Sequence, residues 1–369
     1  MSYINANAQG FTAPDIIRKQ VAQWNIVAFG ATNTYPQQAL YLAERAGIAT
    51  ACIEKMADFI FGQGFKSEML AGQQVNGIGE TANEVLSHCV KCFALNRAFF
   101  LHVGFMLMPD ASLAPASIQF VDYEQVRFAN PVDGKYKKVK VWDDWANASP
   151  KIAPTPADMK EYSLFGTCDP AEEAEACGGI EKYNGQILYF SEERGIYPAS
   201  RINPVWEEVA SIGALGDFTE AFIQNGFSAS TVLVDRAGNA ANDETRRHNE
   251  NQVRQLAGSD NAGAVHLLYG DLENLEISTR QLDKDYDVLK NSLKQDVIER
   301  FSIPPILLGR EKSGGGFPNK DEMENAYLYY NGITRKYREA FERQFKRLFT
   351  SWAYPISTAD FKIEPLTFG

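Results

Sequence analysis

The run from Asp283 to Gly309, DKDYDVLKNSLKQDVIERFSIPPILLG, restricts the possible folds more than any other stretch of the chain. Leu282, Tyr286, Leu289, Leu293 and Val297 recur three or four residues apart, which places them on one face of a helix. Ser278 and Gln281 form a capping box at its start. The consecutive Pro304 and Pro305 stop it, because proline crowds the residue before it out of helical geometry. A Gly-rich loop, REKSGGGFPNKD, follows. Tyr330, Ile333, Tyr337, Phe341, Phe345, Leu348 and Trp352 then mark a second long amphipathic helix.

Upstream, Asn203-Pro204 satisfies the rules for a helix start and Asn225-Gly226 those for a left-handed stop. The interval predicts a helix of roughly 30 Å. Its centre, Ser211-Ile212-Gly213-Ala214-Leu215-Gly216, is unusually small. Each interior glycine costs about 1 kcal/mol against alanine. Close approach of another helix or subunit at Gly213 and Gly216 would compensate; a bend is the plainer alternative. Between this helix and the Ser278 box lie a strand STVLV, a polar helix over Asp243 to Leu256, and strands AVHLLY and ENLEI. A unit of about 50 residues has too little core to stand alone comfortably and would gain from neighbours in an oligomer.

In the first half, one helix is expected after Thr34-Tyr35-Pro36. Tyr41, Ile48, Cys52, Met56 and Phe59 lie on one face, and Gly62 and Gly64 end it. Thr81 and Glu84 form a capping box for a helix carrying Val85, Cys89 and Phe93. AFFLHVGFMLM, SIQFVDYEQVRFA and KYKKVKVW read as three strands, the last two joined through Asn130-Pro131 and Asp133-Gly134 turns. Asn147 to Gly179 lacks periodicity and reads as a surface excursion or insertion. QILYF returns to strand, and FKIEPLTF is expected to be a short closing strand.

Recognisable catalytic chemistry is missing. His88-Cys89-Val90-Lys91-Cys92 contains a CxxC, but no second pair stands at zinc-ligand spacing, so the cysteines read as helix core. Ser313-Gly314-Gly315-Gly316 lacks the GxxxxGK[ST] order of a phosphate loop, since Lys320 follows Pro318-Asn319. There is no GxSxG, and the four histidines have no triad or metal spacing. Asp143-Asp144, beside Trp142 and Trp145, reads as a solvated strand end. No cofactor or metal is expected. No apolar run approaches the roughly 20 residues that span a bilayer, and MSYINANAQGF has neither the basic nor the apolar region of an export signal. The formal net charge of −11 argues against a protein that grips DNA phosphates over a large surface.

Taken in order, these segments resemble the tailed-bacteriophage portal protein family. Tyr197-Pro198 precedes a long helix ending in Gln224-Asn225-Gly226-Phe227. A short domain with Asn261-Ala262-Gly263 follows. Then come a second helix, Ile303-Pro304-Pro305 with Leu307-Leu308-Gly309, a loop, and a third helix. The resemblance is strong from about Gln186 to Leu348 and weaker before that.

It implies an α+β portal-type fold with a mixed α/β wing over residues 1–202. A stem helix over 203–228, a small α/β clip over 229–277 and a second stem helix over 278–302 would follow. A tunnel-loop region would occupy 303–321, and a long wing helix with a C-terminal strand 322–369. The crown found in many portals would be short or absent. The resemblance further implies a non-enzymatic ring of about twelve subunits at one capsid vertex of the virion, assembled in the host cytoplasm. Double-stranded DNA would pass through it without sequence specificity during packaging, retention and ejection. Large terminase, the major capsid or scaffold protein and a head–tail adaptor would be its partners, with no membrane. Arg310, Lys312, Ser313, Gly314, Gly315, Gly316, Phe317 and Lys320 would line the channel. The alternatives are a phosphate-loop packaging motor subunit or a different head–tail connector protein.

Overall fold

The computed structural model describes residues 12–147, 159–224, 231–235, 265–269, 282–309, 319–354 and 361–368. The chain divides into two compact units. Unit 1 comprises Met1–Trp206 and Ile298–Gly369, and unit 2 comprises Glu207–Val297.

Unit 1 is built on a six-stranded sheet. Its strands are β3 (Ala98–Leu107), β4 (Leu113–Val121), β5 (Val126–Phe128), β6 (Lys138–Val141), β7 (Lys160–Leu164) and β8 (Gln186–Ser191), in the order β4-β3-β8-β7-β6-β5. Neighbours run antiparallel except β7 and β8, which are parallel. A two-residue pair, β1 (Gln20–Val21) and β2 (Ile26–Val27), lies ahead of it, and Ile26 bridges Ala129 beyond the end of β5. The hairpin between β5 and β6 turns at Asp133 and Gly134. Both have positive φ, as a turn with the twist of its flanking strands requires.

The expected helix after Pro36 is two helices, α1 (Tyr35–Arg45) and α2 (Gly47–Phe61), broken at Ala46, whose backbone is extended. Gly47, a poor helix-interior residue, follows the break. The apolar stripe therefore does not cross it: Tyr41 is exposed, while Cys52, Met56 and Phe59 are buried. After the short α3 (Glu68–Ala71), α4 (Ala82–Asn96) starts with the expected capping box. The Thr81 hydroxyl accepts from the Glu84 N–H, and the Glu84 carboxylate accepts from the Thr81 N–H. Val85, Cys89 and Phe93 are fully buried. Burial pushes the Cys89 thiol well above its ordinary range, and the Cys92 thiol donates to the Ala98 carbonyl.

The excursion after Asn147 contains regular structure. Lys160–Leu164 is an interior strand of the sheet, and Pro170–Cys177 is a helix, α5, capped by Asp169. The stretch SIQFVDYEQVRFA is two strands separated by a 3-10 turn at Tyr123–Gln125. FKIEPLTF forms a single bridge, Ile363 to Phe65, in place of a strand; Pro365 has no N–H to extend a ladder.

Late in the chain, α8 (Lys320–Thr350) closes unit 1. Phe341 stacks on Phe99 of β3, with centroids 5.1 Å apart, and meets Phe93 of α4 edge-on at 5.4 Å. Tyr330, Phe341, Phe345 and Leu348 are fully buried, so the sequence stripe is the core face.

Arg127 of β5 is buried completely. Its guanidinium donates to Asn33 Oδ1 (2.7 Å), the Asn33 carbonyl (2.7 Å), the Val126 carbonyl (2.8 Å), the Glu124 carbonyl (3.0 Å) and Gln37 Oε1 (3.3 Å), and lies over Trp145. It thereby fastens the start of α1 to the sheet edge. Burial lowers its pKa to about 10, which leaves it charged at neutral pH. Beside it, burial raises the Glu124 carboxyl to about 7, with Asp122 and Glu44 adding to the rise and Arg127 opposing it. In this window the folded state holds a proton that the unfolded state, with an ordinary value of 4.5, has lost. The group's stabilising effect is therefore complete below 4.5 and is lost as pH rises to about 7. Glu124→Gln should remove that loss and raise the melting temperature most above neutrality. A pH–stability curve for the variant that parallels wild type between 5 and 7 would refute this assignment.

Unit 2 contains most of α6 (Trp206–Gln224), which follows a 3-10 turn at Asn203–Val205, and most of α7 (Leu282–Phe301). Its described strands, β9 (Thr231–Asp235) and β10 (Val265–Tyr269), pair in parallel. The helix read over Asp243 to Leu256, the strand ENLEI and the Ser278 capping box fall outside the described residues.

Candidate functional site

Within unit 2, α6 and α7 meet through Tyr286. Its hydroxyl lies 2.5 Å from the Thr219 hydroxyl and 3.3 Å from the Leu215 carbonyl, and its ring faces Phe218 at 6.5 Å. Lys290 Nζ sits over the ring at 5.4 Å. Beside this contact runs an open groove of about 580 Å³, whose lining includes Ile212, Leu215, Gly216, Ile223, Tyr286 and Lys290. Both helices also leave large apolar side chains in solvent: Ile223 is 53% exposed, Val288 71% and Leu289 50%. Leu289 and Val288 contrast with Val297, which is buried. Along the stripe of α7, Val297 is buried, Tyr286 packs against α6 and Leu289 is half exposed.

The two glycines differ. Gly213 is buried. Gly216 is exposed, and a Cβ placed there would meet nothing within 4 Å. Among the described residues, none requires glycine at 216, and its absent side chain leaves this part of the groove open.

Of the expected channel residues, Arg310, Lys312, Ser313, Gly314, Gly315, Gly316 and Phe317 lie outside the described residues. Lys320 is the first residue of α8. It is strongly exposed and lies 3.6 Å from Glu324, one turn on. Asn319 caps this helix by accepting from the Glu322 N–H at 2.7 Å. Before the loop, Ile303 and Leu307 are buried, and Gly309 ends a short 3-10 turn in the left-handed conformation. The Ile-Pro-Pro-Ile-Leu-Leu-Gly segment is thus a firm anchor in unit 1.

A second polar cluster, unmarked by any motif, sits in unit 1 near the start of α6 and the end of α7. Arg201 donates to Glu192 (3.1 Å) and to the Ala94 carbonyl (3.1 Å). Arg97 also pairs with Glu192, at 2.9 Å, and Tyr337 of α8 donates to the same carboxylate. Burial would raise the Glu192 carboxyl, yet Arg201 and Arg97 hold it below the ordinary range. Arg300, in the last turn of α7, donates to the Arg201 carbonyl at 2.9 Å. These charges are consumed structurally: each holds backbone or another side chain. Among the described residues no group of three or more His, Cys, Asp or Glu side chains could hold a metal ion, and no helix is long and apolar enough to cross a membrane.

No protein-family model matches this chain. An uncharacterized protein of Rickettsia bellii (strain RML369-C) is 32% identical over 94 residues, which is 25% of this chain and 24% of the relative. The match thus spans about a quarter of that protein's length. Among solved structures, the chain is similar to one in the virion of a native gene transfer agent particle, with TM-score 0.47 and 14% identity over 80% of this chain and 76% of the other. It is similar to chains of the neck of the empty particle computed with C6 symmetry and of the native particle computed with C12 symmetry. Both of these have TM-score 0.46 and 14% identity over 79% of this chain, with 76% and 75% of the other covered.

Proposed function

We propose that this chain is a portal-type head–tail connector subunit. Copies form a closed, non-enzymatic ring that carries genome DNA during packaging, retention and ejection and receives terminase and tail adaptors. The observation that carries this reading is unit 2. In chain order the described strands β9 and β10 lie between two long helices, and both helices present a groove and exposed apolar side chains. A closed ring needs this kind of surface, because each subunit must offer one face to its neighbour's different face. The ordered series from Tyr197 to Leu348 supports the same reading. In it, α6 and α7 act as the stem helices.

Twelve copies of 41.1 kDa make a ring of about 0.5 MDa. Native mass spectrometry of the purified chain should show a twelve- or thirteen-fold species. A chain that stays monomeric at every concentration overturns the proposal, and ATP hydrolysis by the purified chain would favour the motor alternative.

Gly216→Leu gives a sharper test. Leucine is intrinsically better in a helix by about 1 kcal/mol, and the open space over Gly216 accommodates it within the subunit. If a neighbouring subunit's helix fills the groove, the added side chain overpacks that interface by roughly 1–3 kcal/mol. The variant should therefore fold normally and assemble poorly, as read by melting temperature and by mass photometry. Normal rings would show that the groove is not a subunit interface.

A further inference from the structure

The last four turns of α8 carry a basic face. Arg335, Lys336, Arg343, Lys346 and Arg347 are all exposed, and on a helical projection they fall within about a third of the circumference. Their span is about 18 Å along the helix axis. The one carboxylate on this arc, Glu339, is taken by Arg335 at 2.8 Å. Glu342 is turned aside, accepting from the Ile363 N–H at 2.9 Å. Arg343 and Lys346 have no carboxylate partner among the described residues. Arg347 is held in place by the Phe165 carbonyl at 3.3 Å and by stacking on the Phe165 ring.

This concentration stands out in a chain with 47 acidic and 36 basic residues. The helix dipole favours cations only in the last turn, so it accounts for Arg347 but not for Arg335, Lys336, Arg343 and Lys346. Within the arc, Gly332 and Thr350 are the neighbours, and α8 itself places no large apolar side chain among the cations; the half-buried Phe165 ring is covered by Arg347. The exposed Leu328 and Tyr329 stop before Gly332. A protein partner would need an apolar centre and would disfavour lysine there. A polyphosphate backbone needs only charge spaced along a rod.

We propose that the Arg335–Arg347 face of α8 is a binding site for the phosphate backbone of double-stranded DNA, separate from the channel loop. The binding is weak and without sequence specificity, because it is one helix face on an acidic protein. The inference does not depend on ring formation and is tested on whatever assembly the purified full chain forms.

The probe is a short fluorescent duplex, followed by anisotropy across a salt series. Arg343→Gln/Lys346→Gln is compared with wild type and with Lys91→Gln/Lys160→Gln, which removes two exposed cations elsewhere. Wild type should bind at low ionic strength. The α8 variant should bind several-fold more weakly. Its slope of log affinity against log salt should be shallower by about 1.8, since each phosphate that the protein ceases to neutralise takes about 0.9 from the slope. The control variant should match wild type. Absence of wild-type binding, an unchanged slope in the α8 variant, or equal weakening in both variants would overturn the proposal. So would an α8 variant whose oligomer distribution shifts while its DNA binding per particle is unchanged, since that result assigns the face to a second copy of the chain.

Discussion

Arg127→Met should destabilise unit 1 by more than about 1–3 kcal/mol, the cost of a single buried polar group left without its partner. Methionine fills much of the volume but donates nothing. Five acceptors then lose a donor at once: Asn33 Oδ1, which keeps only the Phe29 N–H, Gln37 Oε1 and the carbonyls of Asn33, Glu124 and Val126. Some of these sit where water cannot replace the missing bonds, and each such acceptor left bare costs about 1–3 kcal/mol. Lysine should rescue little, because a single ammonium cannot reproduce the planar fork that reaches both Asn33 and Val126. The measurement is denaturant unfolding of the two variants. A loss below about 1 kcal/mol in Arg127→Met would show that the network contributes little net stability.

Gly62→Ala should release the segment from Phe361 to Phe368. Gly62 adopts φ 59° and ψ −126°, a region that side-chain-bearing residues avoid, and a Cβ there would overlap the Glu364 carbonyl. The Gln63 N–H to Glu364 carbonyl bond (2.9 Å), the Lys66 N–H to Lys362 carbonyl bond (2.8 Å) and the Glu364 N–H to Gly64 carbonyl bond (3.1 Å) all depend on that close approach. Phe361 and Ile363, both buried, would be exposed with it. The expected result is rapid hydrogen exchange and protease cleavage confined to this segment, with β3, β8 and α4 still protected. Exchange indistinguishable from wild type would mean that the backbone relaxes around the alanine.

The sequence showed most clearly what local chemistry decides. The Thr81–Glu84 box marked the start of α4, the paired prolines closed α7, and the aromatic stripe from Tyr330 to Leu348 marked the buried face of α8. What depended on distant partners was harder to read. Lys160–Leu164 is too short and too polar to announce itself, and it is a strand because β6 and β8 supply ladders on both sides. The break at Ala46 interrupts a stripe that periodicity alone would continue through Tyr41. Arg127 stands in a plain Val-Arg-Phe strand, and its acceptors are mostly backbone carbonyls, which carry no residue-type signal. Gly216 is legible in the sequence as a small residue in mid-α6, whereas its exposure beside a groove became evident only in the folded chain. The basic face of α8 was present in the spacing of Arg335, Lys336, Arg343, Lys346 and Arg347, but the burial of Arg338 and the diversion of Glu342 became evident only in the folded chain.

Because unit 1 draws on both Met1–Trp206 and Ile298–Gly369, its core cannot close until the second segment has been synthesised. At ordinary elongation rates the roughly 135 residues from Trp206 to Phe341 take about 7–27 s to make. Throughout that interval Phe93 and Phe99 wait for Phe341, and Phe59 waits for Tyr330. The nascent chain therefore carries an open aromatic surface and is a natural client for chaperones that hold such surfaces apart.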